Sequence, residues 1–200
     1  VVAVAGGRAF TFRYTETEEL LRAAGCAVVG FDPLVDPRLP DDTAGIYLGG
    51  GFPEVHARAL TDNVPLRREL AAALADGVPT VAECAGLLYL CSSLDSSPMV
   101  GAIAAEAVMT ERLTLRYPTM TATTDNLLTR AGEAVTGHEF HHTRVTPPAD
   151  QRPAWTVDGS DVGFSSPTLH ASYLHVHWAG HPQLAQRFAA AVHRRAATHG

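Results

Sequence analysis

Short apolar runs recur through the first half of the chain, each followed by a segment with helical spacing. Val1–Ala5, Cys26–Phe31, Ile46–Leu48 and Val78–Ala82 lack polar alternation, the pattern of strands buried on both faces. Thr15-Glu16-Thr17-Glu18 has the form of a capping box, and it opens a predicted helix through Leu20, Leu21, Ala23 and Ala24 that stops at Gly25. Asp32-Pro33 to Pro40-Asp41-Asp42 reads as loop. A second helix is predicted from about Asn63 to Ala75, with Leu66, Leu70 and Leu74 along one face and Gly77 as its stop. A third starts at Gly86 with Leu87, Leu88 and Leu90. Strands alternating with helices across glycine-marked turns predict an α/β fold: a parallel sheet with helices on both faces.

The second half reads differently. Val108–Leu115, Thr119–Thr124, Ala134–Val145 and Trp155–Val157 are rich in Thr and Val, and they predict hairpin or edge strands covering one end of the sheet. Ala171–His177 is predicted as one more strand, followed by a closing helix from Pro182 to about Arg195. No internal repeat or low-complexity linker interrupts the chain, so residues 1–200 are read as one domain.

Composition narrows the function classes. Two hundred residues suffice for a sizeable core, and 46% hydrophobic with 18% charged residues is ordinary for a globular protein. A formal charge of −6 argues against a nucleic-acid binder, which would carry a basic face. No apolar run reaches the roughly 18 residues of a membrane span. Cys26, Cys84 and Cys91 are widely spaced and odd in number, with no signal peptide before them, so a reducing cytoplasm is expected rather than a disulfide framework. The chain opens directly in a strand-like run, which we read as a domain cut from a longer polypeptide.

Candidate chemistry centres on Glu83-Cys84-Ala85-Gly86, a sharp strand-to-helix turn with a thiol at its apex. Such a turn holds the sulfur out of the sheet, and the N–H groups at the helix start favour the thiolate. A free cysteine is more often a small buried hydrophobe, so the turn alone does not decide. Gly49-Gly50-Gly51 follows the third strand and falls at the same sheet edge, where ligands of such folds bind. Gly50 and Gly51, with the N–H of Ala85, are candidate oxyanion donors, although glycine clusters are also common as plain turns. The candidate bases are histidines in two groups: His138, His141 and His142 around Glu139, and His175, His177 and His181. On a strand, His175 and His177 would share a face and a pocket. Their spacing matches no zinc motif, so a base for Cys84 is preferred over a metal site. His56, His170, His193 and His199 read as solvated or locally hydrogen-bonded.

Four segments carry a resemblance: Gly-Gly-Gly-Phe-Pro-Glu at 49–54, Ala-Glu-Cys-Ala-Gly-Leu-Leu-Tyr-Leu at 82–90, Gly-His-Glu-Phe-His-His at 137–142 and Ala-Ser-Tyr-Leu-His-Val-His at 171–177. In that order, and with Ala9–Tyr14 and Pro33–Pro40, the chain resembles nearly end to end the glutamine amidotransferase domain of cobyrinic acid and hydrogenobyrinic acid a,c-diamide synthases. The resemblance implies a class I glutaminase-like (flavodoxin-like) fold, mostly parallel, with extra antiparallel strands in the second half. It implies that Cys84 attacks the glutamine amide and releases ammonia. It further implies a separate N-terminal synthetase domain, absent from this chain, where ATP and Mg²⁺ activate the a- and c-acetate carboxylates of a corrinoid. No Gly-x-x-x-x-Gly-Lys-Ser/Thr occurs here, so no cofactor is expected in this domain.

The family's base corresponds to His175; His181 competes, because His181-Pro182-Gln183 mimics the His-Pro-Glu of other class I glutaminases. Where many of those have Glu two residues beyond the base, this chain has His177, so a Cys–His dyad is expected. His177, His181, Glu54, His138, Glu139 and His141 remain as alternates or supporting groups. Ala85 and Gly49 stand where relatives often have Gly and Pro, and both substitutions keep the backbone donors. The competing functional readings are another nucleophile-elbow cysteine hydrolase, such as an amidase or deglycase, and a non-catalytic binding module.

Overall fold

A computed structural model describes residues 1–199, apart from the side chain of His199, so the expectation for that histidine lies outside the described residues. The first half builds β1 (Val2–Ala5), α1 (Thr15–Ala23), β2 (Val28–Phe31), β3 (Gly45–Leu48), α2 (Ala57–Asp62), α3 (Val64–Ala75), β4 (Thr80–Glu83) and α4 (Ala85–Leu90). The second half adds β5 (Cys91–Leu94), β6 (Ser97–Pro98), β7 (Ile103–Arg116), β8 (Thr119–Thr121), β9 (Ala134–Thr136) and β10 (Glu139–Thr146). It finishes with β11 (Trp155–Val157), β12 (Ser160–Val162), β13 (Phe164–Ser165), β14 (Leu169–Ser172) and α5 (Pro182–His199).

The central sheet has the order β13-β14-β4-β3-β1-β2. Its pairings are parallel except for β13 against β14 at the edge. Adjacent residues go to opposite layers. Ala3, Ala5, Ile46, Leu48 and Ala82 enter one core with Leu60, Leu66, Leu70 and Leu87; Val2, Val4, Tyr47 and Val81 enter the other with Leu21, Leu184 and Phe188. Two covered faces are why these strands read as unbroken apolar runs. Each fully buried Leu or Phe adds about 1.5–3 kcal/mol. Because β3, β4 and β14 run parallel, Gly49–Gly51, Cys84 and Tyr173–His175 all leave the sheet at one edge.

Several local expectations change. Thr15 is the first helical residue of α1, not its cap; Tyr14 precedes it without a capping side-chain bond. Glu18 instead pairs with Arg13 at 2.7 Å and Arg22 at 2.9 Å. Pro53–Asp62, not foreseen as helical, forms a 3₁₀ turn and α2; Leu60 is the one buried residue of α2, too thin a stripe to show periodicity. The helix after Cys84 is a short one, because Cys91–Leu94 turns into a strand. The later strands are not mere edge cover: they form two further four-stranded sheets, β10-β7-β5-β6 and β12-β11-β8-β9. The predicted strand 134–145 breaks at Gly137-His138, where the chain crosses to pair with His175. A Cβ on Gly137 would lie 2.3 Å from the His175 carbonyl oxygen, so that crossing needs glycine. The predicted strand 171–177 ends at Ser172, and beyond it only the His138–His175 bridge persists. Among the described residues, no helix is long and apolar enough to cross a membrane.

Candidate active site

Cys84 sits at the junction of β4 and α4 with φ 50° and ψ −99°. L-residues rarely adopt this conformation, at a cost of about 1–3 kcal/mol. The strain is held by surrounding backbone bonds: Cys84 N–H donates to Ser172 C=O at 2.8 Å, and Gly86 N–H to Gly49 C=O at 3.0 Å. Gly86 is required, since a Cβ there would lie 2.3 Å from the Leu48 carbonyl oxygen. Cys84 is 5% exposed, and its Sγ lies 4.0 Å from the Phe140 carbonyl oxygen. Burial pushes its pKa up to about 12; the Ala85 N–H opposes this, and the charges of Glu54, Glu83 and Glu139 add to it.

His175 is brought to the same edge by the segment following β14. It exchanges two backbone bonds with His138, at 2.8 and 3.0 Å. Its ring stacks on His138 (centroids 4.7 Å apart, 14° between planes) and meets the edge of Phe12 at 4.9 Å. Burial, followed by the His138 and His141 charges, lowers its pKa to about 3. Its Nδ1 is buried and has no hydrogen-bond partner among the described residues. Burial thus disfavours the charged form of each group, the thiolate of Cys84 and the imidazolium of His175.

The other candidates separate. His138 lies at the site through its stacking and through a 3.4 Å contact with Tyr14 Oη. His141 stacks on Tyr173 at 3.7 Å, and its Nδ1 lies 2.9 Å from the Thr143 carbonyl oxygen. Glu139 is buried and paired with Arg116, which also reaches Asp158 at 3.4 Å. Glu54 is near enough for its charge to act on the thiol. His177 does not share the pocket with His175: the strand expected to align them has ended, and His177 is exposed beside Glu16 (3.7 Å) and Tyr14. His181 is engaged by Thr136 Oγ1 at 3.1 Å and leads into α5. His170, expected to be solvated or locally bonded, is buried in β14 against Trp155, with Nδ1 3.2 Å from Asn126 Oδ1.

The glycine loop also needs a correction. Gly50 N–H donates to Phe12 C=O at 2.8 Å and Phe12 N–H returns a bond at 3.0 Å, so Gly50 is not an available oxyanion donor. The N–H of Gly51 has no backbone acceptor among the described residues. What Gly50 supplies is space, since a Cβ there would lie 2.3 Å from His175 Cε1.

Sequence reasoning missed Glu83, although it stood in the quoted motif. A carboxylate ending the run Val81-Ala82 signals a buried acid, and Glu83 is 3% exposed. It also missed Tyr173 and Arg116. With Leu87, Glu139, His141 and Thr143 these two help line a cavity of about 580 Å³, whose lining includes neither Cys84 nor His175. Among the described residues no group of three His, Cys, Asp or Glu could hold a metal ion.

Comparison with known proteins adds the following. Residues 1–183 match the CobB/CobQ-like glutamine amidotransferase domain. The chain is 62% identical over 200 residues to hydrogenobyrinate a,c-diamide synthase of Thermobifida fusca, covering 96% of this chain and 42% of that protein. It is 44% identical over 198 residues to cobyrinate a,c-diamide synthase of a Synechococcus strain, covering 94% and 43%. The chain thus spans about two fifths of the length of these relatives. Among solved structures, a glutamine amidotransferase superposes with a TM-score of 0.69 at 15% identity, covering 96% of this chain and 99% of that one. A second, from Thermotoga maritima, gives 0.60 at 13% identity, covering 98% and 95%.

Proposed function

The chain belongs to the family of CobB/CobQ-like glutamine amidotransferase domains, and from that premise we propose that Cys84 and His175 hydrolyse glutamine to glutamate and ammonia. The observation that carries the reading is a thiol strained to the apex of a strand–helix turn, with an imidazole fixed at the same sheet edge. Because burial disfavours both charged forms, proton transfer from Sγ to His175 accompanies attack of sulfur on the amide carbon. The oxyanion so formed meets the N–H groups of Ala85 and Gly51. Collapse breaks the C–N bond, and the proton on His175 leaves with ammonia. His175 then takes a proton from water as it attacks the thioester, releasing glutamate and restoring the thiol.

From the relatives' names and greater length we further propose that the ammonia serves the a,c-diamidation of cobyrinate or hydrogenobyrinate on an N-terminal synthetase domain, which would hold ATP and Mg²⁺ for carboxylate activation. In this reading the present residues form the glutaminase domain of such a synthase, acting in the cytoplasm. Three free thiols, Cys26, Cys84 and Cys91, accord with that reducing setting. The test is incubation with glutamine, reading glutamate and ammonia, together with diazo-oxo-norleucine labelling mapped by mass spectrometry. Label on Cys84 alone and loss of turnover in Cys84→Ala are expected. Label on Cys26 or Cys91 instead, or turnover surviving in Cys84→Ala, overturns the assignment.

A further inference from the structure

Glu83 is the last residue of β4, directly before Cys84, and its carboxyl is almost fully buried. Burying a carboxylate costs several kcal/mol unless its oxygens are satisfied. Here Oε2 accepts from Tyr47 Oη–H at 2.9 Å, and Oε1 lies 3.5 Å from the Val176 N–H that points to it. The indole N–H of Trp178 also faces this carboxyl, but it closes no hydrogen bond among the described residues. Tyr47 is fixed in turn, buried on β3 with its ring edge-on to Trp178 at 5.6 Å. One carboxyl therefore ties β3, the nucleophile strand and the segment after β14 together.

Its position in the chain gives this tie a meaning. Glu83 is covalently next to the thiol residue, and Val176 is covalently next to His175. In cysteine and serine hydrolases a third group usually orients the base through its ring. Here one ring nitrogen, His175 Nδ1, is buried with no partner among the described residues, so no acid is bonded to it. The imidazole is instead placed from its backbone: by the His138 exchange on one side and by Val176 on the other.

Building on the glutaminase reading, we propose that Glu83 is a positioning residue for His175, gripping the Val176 N–H so that the base stays registered over Cys84 without an acid on its ring. The carboxyl touches neither substrate nor reacting atoms. Its direct electrostatic action has the opposite sign: a negative charge beside Cys84 disfavours the thiolate, so deleting it should speed thiol chemistry. Loss of positioning should slow it, and the two roles are separable.

The experiment uses this chain and two readouts. Glu83→Leu, which removes the acceptor, should lower kcat for glutamine hydrolysis by about 10- to 100-fold, with KM within about threefold. Glu83→Gln, which keeps an oxygen for the Val176 N–H, should recover kcat to within about fivefold of the parent. The second readout, the iodoacetamide alkylation rate of the Cys84 peptide, needs no glutamine turnover. Glu83→Leu should slow it when His175 is present and not when His175 is Ala, the non-additivity of groups acting through each other. Alkylation that is unchanged or faster in Glu83→Leu, or slowed equally with and without His175, overturns the proposal. If Glu83→Leu does not fold, Tyr47→Phe takes its place; it removes the donor to Oε2 and must also slow alkylation in a His175-dependent way, and no such slowing overturns the proposal. A parent protein that never hydrolyses glutamine refutes the glutaminase reading alone, because the alkylation cycle still decides the role of Glu83.

Discussion

Replacing Gly50 by Ala tests whether the glycine loop serves as space for the base. The added Cβ would lie 2.3 Å from His175 Cε1, 3.2 Å from Nδ1 and 3.3 Å from Nε2. Ordinary carbon contacts begin near 3.5 Å, so the ring must retreat by about 1 Å or more. Neither partner can yield cheaply. Gly50 is held by two bonds to Phe12, and His175 by two bonds to His138 with stacking on its ring. Overpacking of this kind costs about 1–3 kcal/mol of stability. A misplacement of about 1 Å in a catalytic group costs about 100-fold in rate. Because the Gly50 N–H is already bonded to Phe12, loss of an oxyanion donor cannot account for the drop. The assay is glutamine hydrolysis beside a urea melt, with Gly101→Ala as control: unlike Gly50, Gly101 has a positive φ, of 75°, and no described atom lies within 4 Å of its would-be Cβ. Gly101→Ala should lose a little stability and no activity. A folded Gly50→Ala protein whose kcat stays within about threefold of the parent would refute the reasoning.

Three further outcomes follow from the same geometry. Cys84→Gly should be more stable than Cys84→Ala by about 1–3 kcal/mol, reversing the usual order, because glycine alone relieves the strain at φ 50°; equal urea midpoints would contradict the strained turn. Burial raises the Glu83 pKa from 4.5 to about 7, so the folded state holds that proton more tightly than the unfolded chain does. Stability is thereby lost as pH rises from 4.5 to about 7, by about 3 kcal/mol in all, and Glu83→Gln should gain that much on the parent between pH 4.5 and 8 in urea unfolding. With the Cys84 thiol pushed up to about 12, its alkylation in the absence of glutamine should climb about tenfold per pH unit from 7 to 9; a plateau starting below pH 7 would mean a resting thiolate.

Membership of the glutamine amidotransferase family was legible because it depends on local order: a run of apolar residues, a thiol at a turn among small neighbours, and four motifs in sequence. The parallel sheet was legible for a related reason, since strands covered on both faces leave an unbroken apolar signature such as Ile46-Tyr47-Leu48. Less was visible where pairing partners are remote. Nothing between residues 134 and 145 announces a break at Gly137-His138, because the break exists to meet His175 across the fold. The same holds for the end of β14 at Ser172, which separates His175 from His177 and cancels the shared face that strand periodicity predicted.

The sequence by itself determined which residues stand at the carboxyl edge of the sheet, since parallel strands with buried faces leave little freedom in where their ends go. Tertiary structure decided what each of those residues does there. It bound the Gly50 N–H to Phe12, left His175 Nδ1 without a partner among the described residues, sent His177 to solvent, and buried Glu83 where it joins the segment holding His175 to β4. Hydrogen bonds and close contacts depend on positions set to within about 1 Å by packing from distant parts of the chain. Residue type and spacing carry no information at that scale.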